Sequence, residues 1–363
     1  MKLNRELEKE QASYVTPMYT IDCALGSNPF GAPTISPDQM LEILDEINDY
    51  YSFSNLAQLS HLVGLYLGIS SDDLTFTTGS LGALELIFNK LIDQTQKTML
   101  GIGPQFVEGV SEFQLVGGQY QALNMFAFNC DSDLFGALES QILRERPTLV
   151  YIDNPNNPTG RIYRKEHLLS LCEVCKEAGS LLIIDEAYGE FLTPEQSMVK
   201  ECQHHSHLMV LRTFSKGLGL AGIRLGYVVS SPKLTPYVQS AVSVFTPSLP
   251  ALKIACHVLP KANDFVTGNQ TKTIAFKRAV MDIFHTHGFN IVPTSEQTPI
   301  LLVHKPGVDM TEMLRQLRIL SCAGQHFQIT NPDINEEYAR LRIVGNDRDL
   351  HQLSIRLEQH KIA

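Results

Sequence analysis

The chain has 363 residues, 44% of them hydrophobic, and 29 Lys and Arg against 39 Asp and Glu for a formal net charge of −10. That length suffices for two domains with sizeable cores. The acidic balance, with no basic stripe, excludes nucleic acid and anionic membrane as partners because phosphate polyanions need clustered Lys and Arg, and no apolar run reaches the roughly 18 residues of a membrane span.

In chain order, the charged start from Met1 to Glu8 lacks the apolar stretch of a secretory signal, so a cytoplasmic location is expected. The seven scattered cysteines, odd in number, fit reduced thiols better than a disulfide framework. An N-terminal arm is expected over residues 1–34, a large domain over 35–247 and a small domain over 248–363. Amphipathic helices are expected over 38–50 and 56–67, and an apolar helix over 83–91 that opens at the turn Thr78-Gly79-Ser80-Leu81. The short apolar runs 148–152, 181–184 and 208–211, rich in Leu, Ile and Val, read as strands covered on both faces. Between the first two lies an amphipathic helix over 165–178, stopped by Gly179, which makes a βαβ unit. The Cys172-Glu173-Val174-Cys175 spacing falls on that helix with no second pair, and His204, His205 and His207 lie in a polar loop, so no metal site is expected. The stretch Phe245-Thr246-Pro247-Ser248-Leu249-Pro250 breaks regular structure and sets the expected domain boundary. Beyond it, helices are expected over 274–285, 310–317 and 350–359, and strands over 290–292, 300–304 and 338–344. His285 and His287, just before Gly288, mark a helix end.

Three polar groups end these buried strands at regular distances. The first run leads into Asp153-Asn154-Pro155-Asn156-Asn157-Pro158-Thr159-Gly160, the second into Asp185-Glu186-Ala187-Tyr188, and the third into Arg212-Thr213-Phe214-Ser215-Lys216. Taken singly, Asp185 reads as a helix cap, the Asn-Pro segment as a tight turn and Lys216 as a solvated lysine. In parallel sheets, however, functional groups gather at the carboxyl ends of the strands, so Asn157, Asp185 and Lys216 are expected to converge. Those residue types suit pyridoxal phosphate. A lysine closes the Schiff base, a buried carboxylate keeps the pyridine nitrogen protonated, and an amide with a phenol, here Asn157 and Tyr188, holds the ring oxygen. The segment Gly217-Leu218-Gly219-Leu220-Ala221-Gly222 also satisfies the dinucleotide pattern G-x-G-x-x-G, but no Asp or Glu follows between Arg224 and Leu259 to bind a ribose, which argues against a nicotinamide cofactor.

With these motifs in place, the chain resembles the fold-type I pyridoxal-phosphate enzymes of the class I/II aminotransferase superfamily, most of all the histidinol-phosphate aminotransferase branch. The resemblance runs from Gly26-Ser27-Asn28-Pro29-Phe30-Gly31 to the strand around Arg340, and its strongest pieces are the segments 154–160, 185–188 and 212–227. It implies an α/β fold: a large domain whose mostly parallel sheet is sandwiched by helices, with a smaller α+β C-terminal domain. By the same resemblance Lys216 forms the Schiff base and shuttles the proton, Asp185 pairs with the pyridinium, and Gly79, Ser80, Leu81, Ser215 and Arg224 cup the phosphate. Phe106 stacks on the ring, and Tyr51 reaches the phosphate of a partner subunit, which implies a homodimer with shared sites. Arg340 or Arg342 grips the substrate, with Asn28 nearby. An amino acid or related primary amine is the expected substrate and transamination the default outcome; decarboxylation, elimination and cyclisation are the alternatives on the same cofactor. Relatives that bind histidinol phosphate carry a further arginine where this chain has Leu320 or Cys322, which argues against histidinol phosphate here.

Overall fold

The structure is a computed structural model that describes residues 21–360 apart from 52 and 96, so the expected arm falls largely outside it. In chain order it contains β1 (Ile21–Asp22), α1 (Pro37–Asp45), α2 (Phe53–Leu67), β2 (Leu74–Thr77), α3 (Gly79–Leu86), β3 (Thr98–Gly103), α4 (Val107–Leu115), β4 (Gln119–Asn124) and α5 (Asp131–Glu145). Then come β5 (Leu149–Asp153), α6 (Lys165–Ala178), β6 (Leu181–Asp185), β7 (Leu208–Thr213), β8 (Gly226–Ser230), α7 (Thr235–Ala241), α8 (Leu249–Val258) and α9 (Ala262–Thr286). The last part holds β9 (Asn290–Ile291), β10 (Ile300–His304), α10 (Met310–Gln316), β11 (Ile319–Leu320), β12 (Cys322–Ala323), β13 (Tyr338–Arg342) and α11 (Asp347–His360).

A seven-stranded sheet in the order β2-β8-β7-β6-β5-β3-β4 forms the centre, antiparallel where β8 meets its two neighbours and parallel elsewhere. Because successive side chains leave a strand on opposite faces, Val150, Ile152, Leu182, Ile184, Leu208 and Val210 enter one apolar core. Leu149, Tyr151, Ile183, Met209 and Leu211 enter another on the opposite face. This double burial explains the unbroken apolar runs. At about 25 cal/mol per Å² of apolar surface removed from water, each such residue contributes on the order of 1.5–3 kcal/mol, so strand register is firmly set.

A four-stranded antiparallel sheet, β12-β13-β10-β9, carries a third core with α9, α10 and α11, and β1 pairs in parallel with β11. The segment after β1 is therefore tied to the C-terminal sheet, with Arg342 N donating to Cys23 O at 2.8 Å. One expectation needs correcting. Ala251, Leu252, Ala255 and Val258 of α8 pack into the first core, so the passage from one core to the other comes at α9 and not at Pro247. Pro250 there occupies the first turn of α8 behind the Ser248 cap, a position that tolerates proline, so the prolines begin a helix instead of ending a domain. The first helix is also shorter than expected: Ser36 and Gln39 form a capping box at its start and it ends at Asp45, leaving Ile47 and Tyr50 exposed. The helix expected to open at Ala83 begins four residues earlier, at Gly79, and that expected at Ile274 begins at Ala262.

Beneath the carboxyl edge of the main sheet, Arg212 is buried between two acids. Its Nη1 donates to Glu186 Oε2 and its Nη2 to Glu190 Oε1, both at 2.9 Å. Glu186 in turn accepts from Ser197 Oγ and Met198 N, so the loop after β6 is folded on itself and locked to strand β7. Arg212→Ala leaves two buried carboxylates without their cation and is expected to lower the unfolding free energy by about 3–5 kcal/mol in a denaturant titration.

Candidate active site

The ends of β5, β6 and β7 lie side by side, with Asp153 in register with Asp185 and Asp185 with Leu211. Asp185 is 2% exposed, and its two oxygens are held by Tyr151 Oη and Ala187 N, each at 2.9 Å. Burial raises its pKa from the ordinary carboxylate value to about 6, opposed by those two donors and by the charge of Lys216. Tyr151 is fully buried, and burial together with the charge of Asp185 pushes its hydroxyl well above the ordinary phenol range. It therefore stays protonated and fixes the carboxylate as a donor.

Asp153 is sealed in the same way but is committed to the backbone. One oxygen accepts from Phe106 N and Asn157 N, the other from Asn156 Nδ2, all within 3.1 Å. A single carboxylate thus joins the loop bearing Phe106 to the loop bearing Asn157. Burial lifts Asp153 to about 8, against these three donors, which favour its charged form.

Both acids border a cavity of about 300 Å³. Lys216, Tyr188, Asn157, Phe106, Ser80, Leu81, Ser215 and Arg224 line it as well, so residues scattered over more than a hundred positions meet in one place. The Lys216 ammonium stands 5.7 Å from the centre of the Tyr188 ring. Gly26 closes the wall above them: a Cβ there would fall 2.5 Å from Tyr188 Oη and 3.0 Å from Lys216 Nζ, so any larger residue invades the space around the amine. Gly79 begins α3 at φ +81°, a conformation that L side chains rarely adopt, and a Cβ on it would lie 2.9 Å from Arg224 Nη2. The guanidinium therefore sits over the free N–H groups of a helix start, an arrangement suited to an anion.

Arg340 closes the far end of the cavity and Arg342 does not reach it. Arg340 is 8% exposed and donates to Ala24 O, and its Nε is buried without a partner among the described residues. Arg342 instead binds Ser27 Oγ at 3.0 Å and Asp22 O, holding down the N-terminal segment. Asn28 is likewise committed: its Nδ2 donates to Gly217 O and its Oδ1 accepts from Phe30 N, which ties that segment to the loop of Lys216 away from the lining. Tyr51 is also outside the cavity, with its hydroxyl on Thr246 O at 3.1 Å. Four residues that the sequence reading passed over do line or shape the site: Tyr151 beneath Asp185, Asp153 between the loops, and Glu108 with His326 beside Arg340. Tyr151 and Asp153 were signalled only as a phenol and an acid within a buried strand, and Glu108 on α4 and His326 in a short turn carried no signal.

The donor set fits pyridoxal 5′-phosphate. Asn157 lines the cavity, and its Oδ1 is buried without a hydrogen-bond partner among the described residues, an orphaned polar atom that a bound group would complete. A buried acid stands for the ring nitrogen, an amine for the aldehyde and an anion cradle for the phosphate. Among the described residues no cluster of three or more His, Cys, Asp or Glu could hold a metal, and no helix is long and apolar enough to cross a membrane.

Comparison with known proteins agrees with this geometry. Residues 26–354 match the family model described as aminotransferase class I and II. The chain is 28% identical over 302 residues to histidinol-phosphate aminotransferase 2 of Pasteurella multocida, covering 83% of this chain and 80% of that one. Among solved structures it resembles the histidinol-phosphate aminotransferase of Sinorhizobium meliloti in complex with pyridoxal-5′-phosphate, with a TM-score of 0.77, 20% identity and coverage of 95% of this chain and 92% of that one. It also resembles the L-threonine-O-3-phosphate decarboxylase of Porphyromonas gingivalis, with a TM-score of 0.72, 17% identity and coverage of 94% and 100%. At these identities the structures attest the fold, which is that of the fold-type I enzymes.

Because Asp185 titrates near 6 and only its ionised form pairs with a ring cation, it is charged above that pH and neutral below it. Cofactor affinity of the apoprotein is therefore expected to weaken as pH falls through about 6, and an Asp185→Asn variant to lack that component. Equilibrium titration of the apoprotein with cofactor across pH 5–8 measures both.

Proposed function

The chain belongs to the class I and II aminotransferase family, and from that premise we propose that Lys216 carries pyridoxal 5′-phosphate in the cavity and that the enzyme transfers an amino group from an amino acid to a keto acid. One observation supports this reading above the rest: the amine of Lys216 and the buried acid of Asp185 face the same cavity, on walls that belong to adjacent strands. When bound, the cofactor supplies an aldehyde for the incoming amine and a protonated ring that draws electrons from the bond being broken.

The chain's own groups do the rest. Asp185, steadied by Tyr151 and Ala187, holds negative charge where the ring nitrogen belongs. Asn157 and Tyr188 take the ring oxygen, and the backbone of Gly79, Ser80 and Leu81 with Ser215 and Arg224 takes the phosphate. Phe106, whose backbone is fixed by Asp153, covers the ring face. Lys216 Nζ removes the proton from the α-carbon of the amino donor and delivers one to the α-carbon of the amino acid formed from the keto acid, as a positioned general base and acid. Arg340 holds the substrate carboxylate through a charge-assisted bond. Of the two arginines left open by the sequence, Arg340 is preferred because it lines the cavity.

The functional unit is a homodimer. Tyr51 turns away from its own cavity, and around it lies an exposed apolar surface with Phe53 91% exposed, Val244 80%, Tyr50 72% and Phe245 53%. Tyr50 and Phe245 stack at 4.1 Å within it. Large exposed apolar patches mark interaction sites, and a second copy of the chain covering this one would meet Tyr51.

Two experiments test these statements. Lys216→Ala is expected to lose amine transfer by at least about 1,000-fold, measured as keto acid formed from a panel of amino acids; retained activity would remove the proposal. Lys216→Ala and Tyr51→Phe chains are each expected to be impaired alone. Mixed after dissociation, they regain activity, because one site of the heterodimer then has both native residues; a mixture no more active than its parents contradicts the shared site.

A further inference from the structure

The substrate end of the cavity holds an acid as well as a guanidinium. Glu108 lies in the first turn of α4, two residues beyond Phe106, and its Oε1 is 3.3 Å from His326 Nε2. Both side chains line the cavity, together with Cys322, Phe327 and Arg340, and both are close to half exposed, so they remain accessible to a ligand. Burial alone would raise the Glu108 carboxyl, but the His326 hydrogen bond, its own backbone N–H and the nearby charges of His326 and Arg340 carry it below the usual range. It is therefore a carboxylate at neutral pH. Arg340, by contrast, is nearly buried and already donates to Ala24 O.

This arrangement has a chemical consequence. Among the described residues at this end of the cavity, a substrate meets the cation Arg340, suited to an α-carboxylate, and the Glu108 carboxylate, held by His326, beside the space left for its side chain. A dianionic side chain would face the Glu108 charge with no second arginine among the described residues at this end of the cavity, where Cys322 lines the wall and Leu320 is paired through its backbone with Asp22. A side chain ending in an ammonium or guanidinium would instead gain a charge-assisted hydrogen bond.

We propose that Glu108 and His326 form the side-chain subsite of the enzyme and select amino acids whose side chain ends in a cation over neutral, acidic or phosphorylated ones. The inference rests on the aminotransferase reading given above and adds the class of substrate to it. Glu108 acts by direct contact with the substrate's distal group, and His326 orients the carboxylate.

The test uses the holoenzyme with L-lysine, L-ornithine and L-arginine against L-norleucine, L-glutamate and histidinol phosphate. Two quantities are read: kcat/KM for amine transfer, and the affinity of the α-methyl forms of lysine and norleucine, which have no α-proton to lose, by calorimetry. Wild-type enzyme is expected to favour a cationic substrate over norleucine by about tenfold or more in both. Glu108→Gln is expected to bring that ratio close to one, and Glu108→Lys to invert it toward glutamate or the phosphorylated amine. A wild-type preference for histidinol phosphate or glutamate, or a ratio untouched by Glu108→Gln, overturns the proposal. Should no panel member be a substrate, the aminotransferase reading fails in its own right, while the calorimetric ratio still decides the subsite: preference for α-methyl-lysine upholds it and equal binding overturns it.

Discussion

A carboxylate sealed beneath the cavity is the constraint from which the rest of this molecule follows. Burying an isolated charge costs far more than a single hydrogen bond returns, so such a group is protonated, paired or surrounded by donors. Asp185 meets this demand only in part: Tyr151 and the Ala187 amide each hold one oxygen, and its pKa still rises to about 6. Asp185 also borders the cavity, so a cation bound there completes its pairing. In the proposed function a protonated heterocycle supplies that cation, and Lys216 lines the same cavity.

The neighbouring acid shows how position divides two identical groups into different roles. Asp153 and Asp185 are register partners on adjacent strands, spaced about 4.8 Å apart in the sheet. Asp153 accepts from three donors in two loops and serves to hold Phe106 and Asn157 in place, whereas Asp185 has one donor on each oxygen. Below both, the Arg212 ion pairs bind the loop after β6 to strand β7. The site is thus built on strand ends and buried polar contacts, which give the rigid first contacts that catalysis requires.

Much of this was legible from local pattern. The strands carrying Asp153, Asp185 and Thr213 are buried on both faces, so their apolar runs were unbroken, and the helix at Lys165–Ala178 announced its end with Gly179, which takes φ +74°. Interactions between segments distant in the chain were not legible. Nothing periodic links Glu108 to His326, Tyr51 to Thr246 or Asn28 to Gly217, each pair being some 190 to 220 positions apart. Arg340 and Arg342 look equivalent on one face of a strand, and only the course of residues 22–27 beside them separates a cavity residue from a tether. A boundary at Pro247 is what two prolines suggest to local pattern, while the inward face of α8, with Ala251, Leu252 and Ala255, packs it into the first core, a contact between distant segments.

The most direct measurement is the protonation state of the cofactor's ring nitrogen, read from the chemical shift of ¹⁵N-labelled pyridoxal 5′-phosphate bound to the protein near pH 7.5. Wild-type protein should give the shift of a protonated nitrogen, and Asp185→Asn that of an unprotonated one. An unprotonated nitrogen in the wild type, or one whose proton is indifferent to residue 185, would contradict the account.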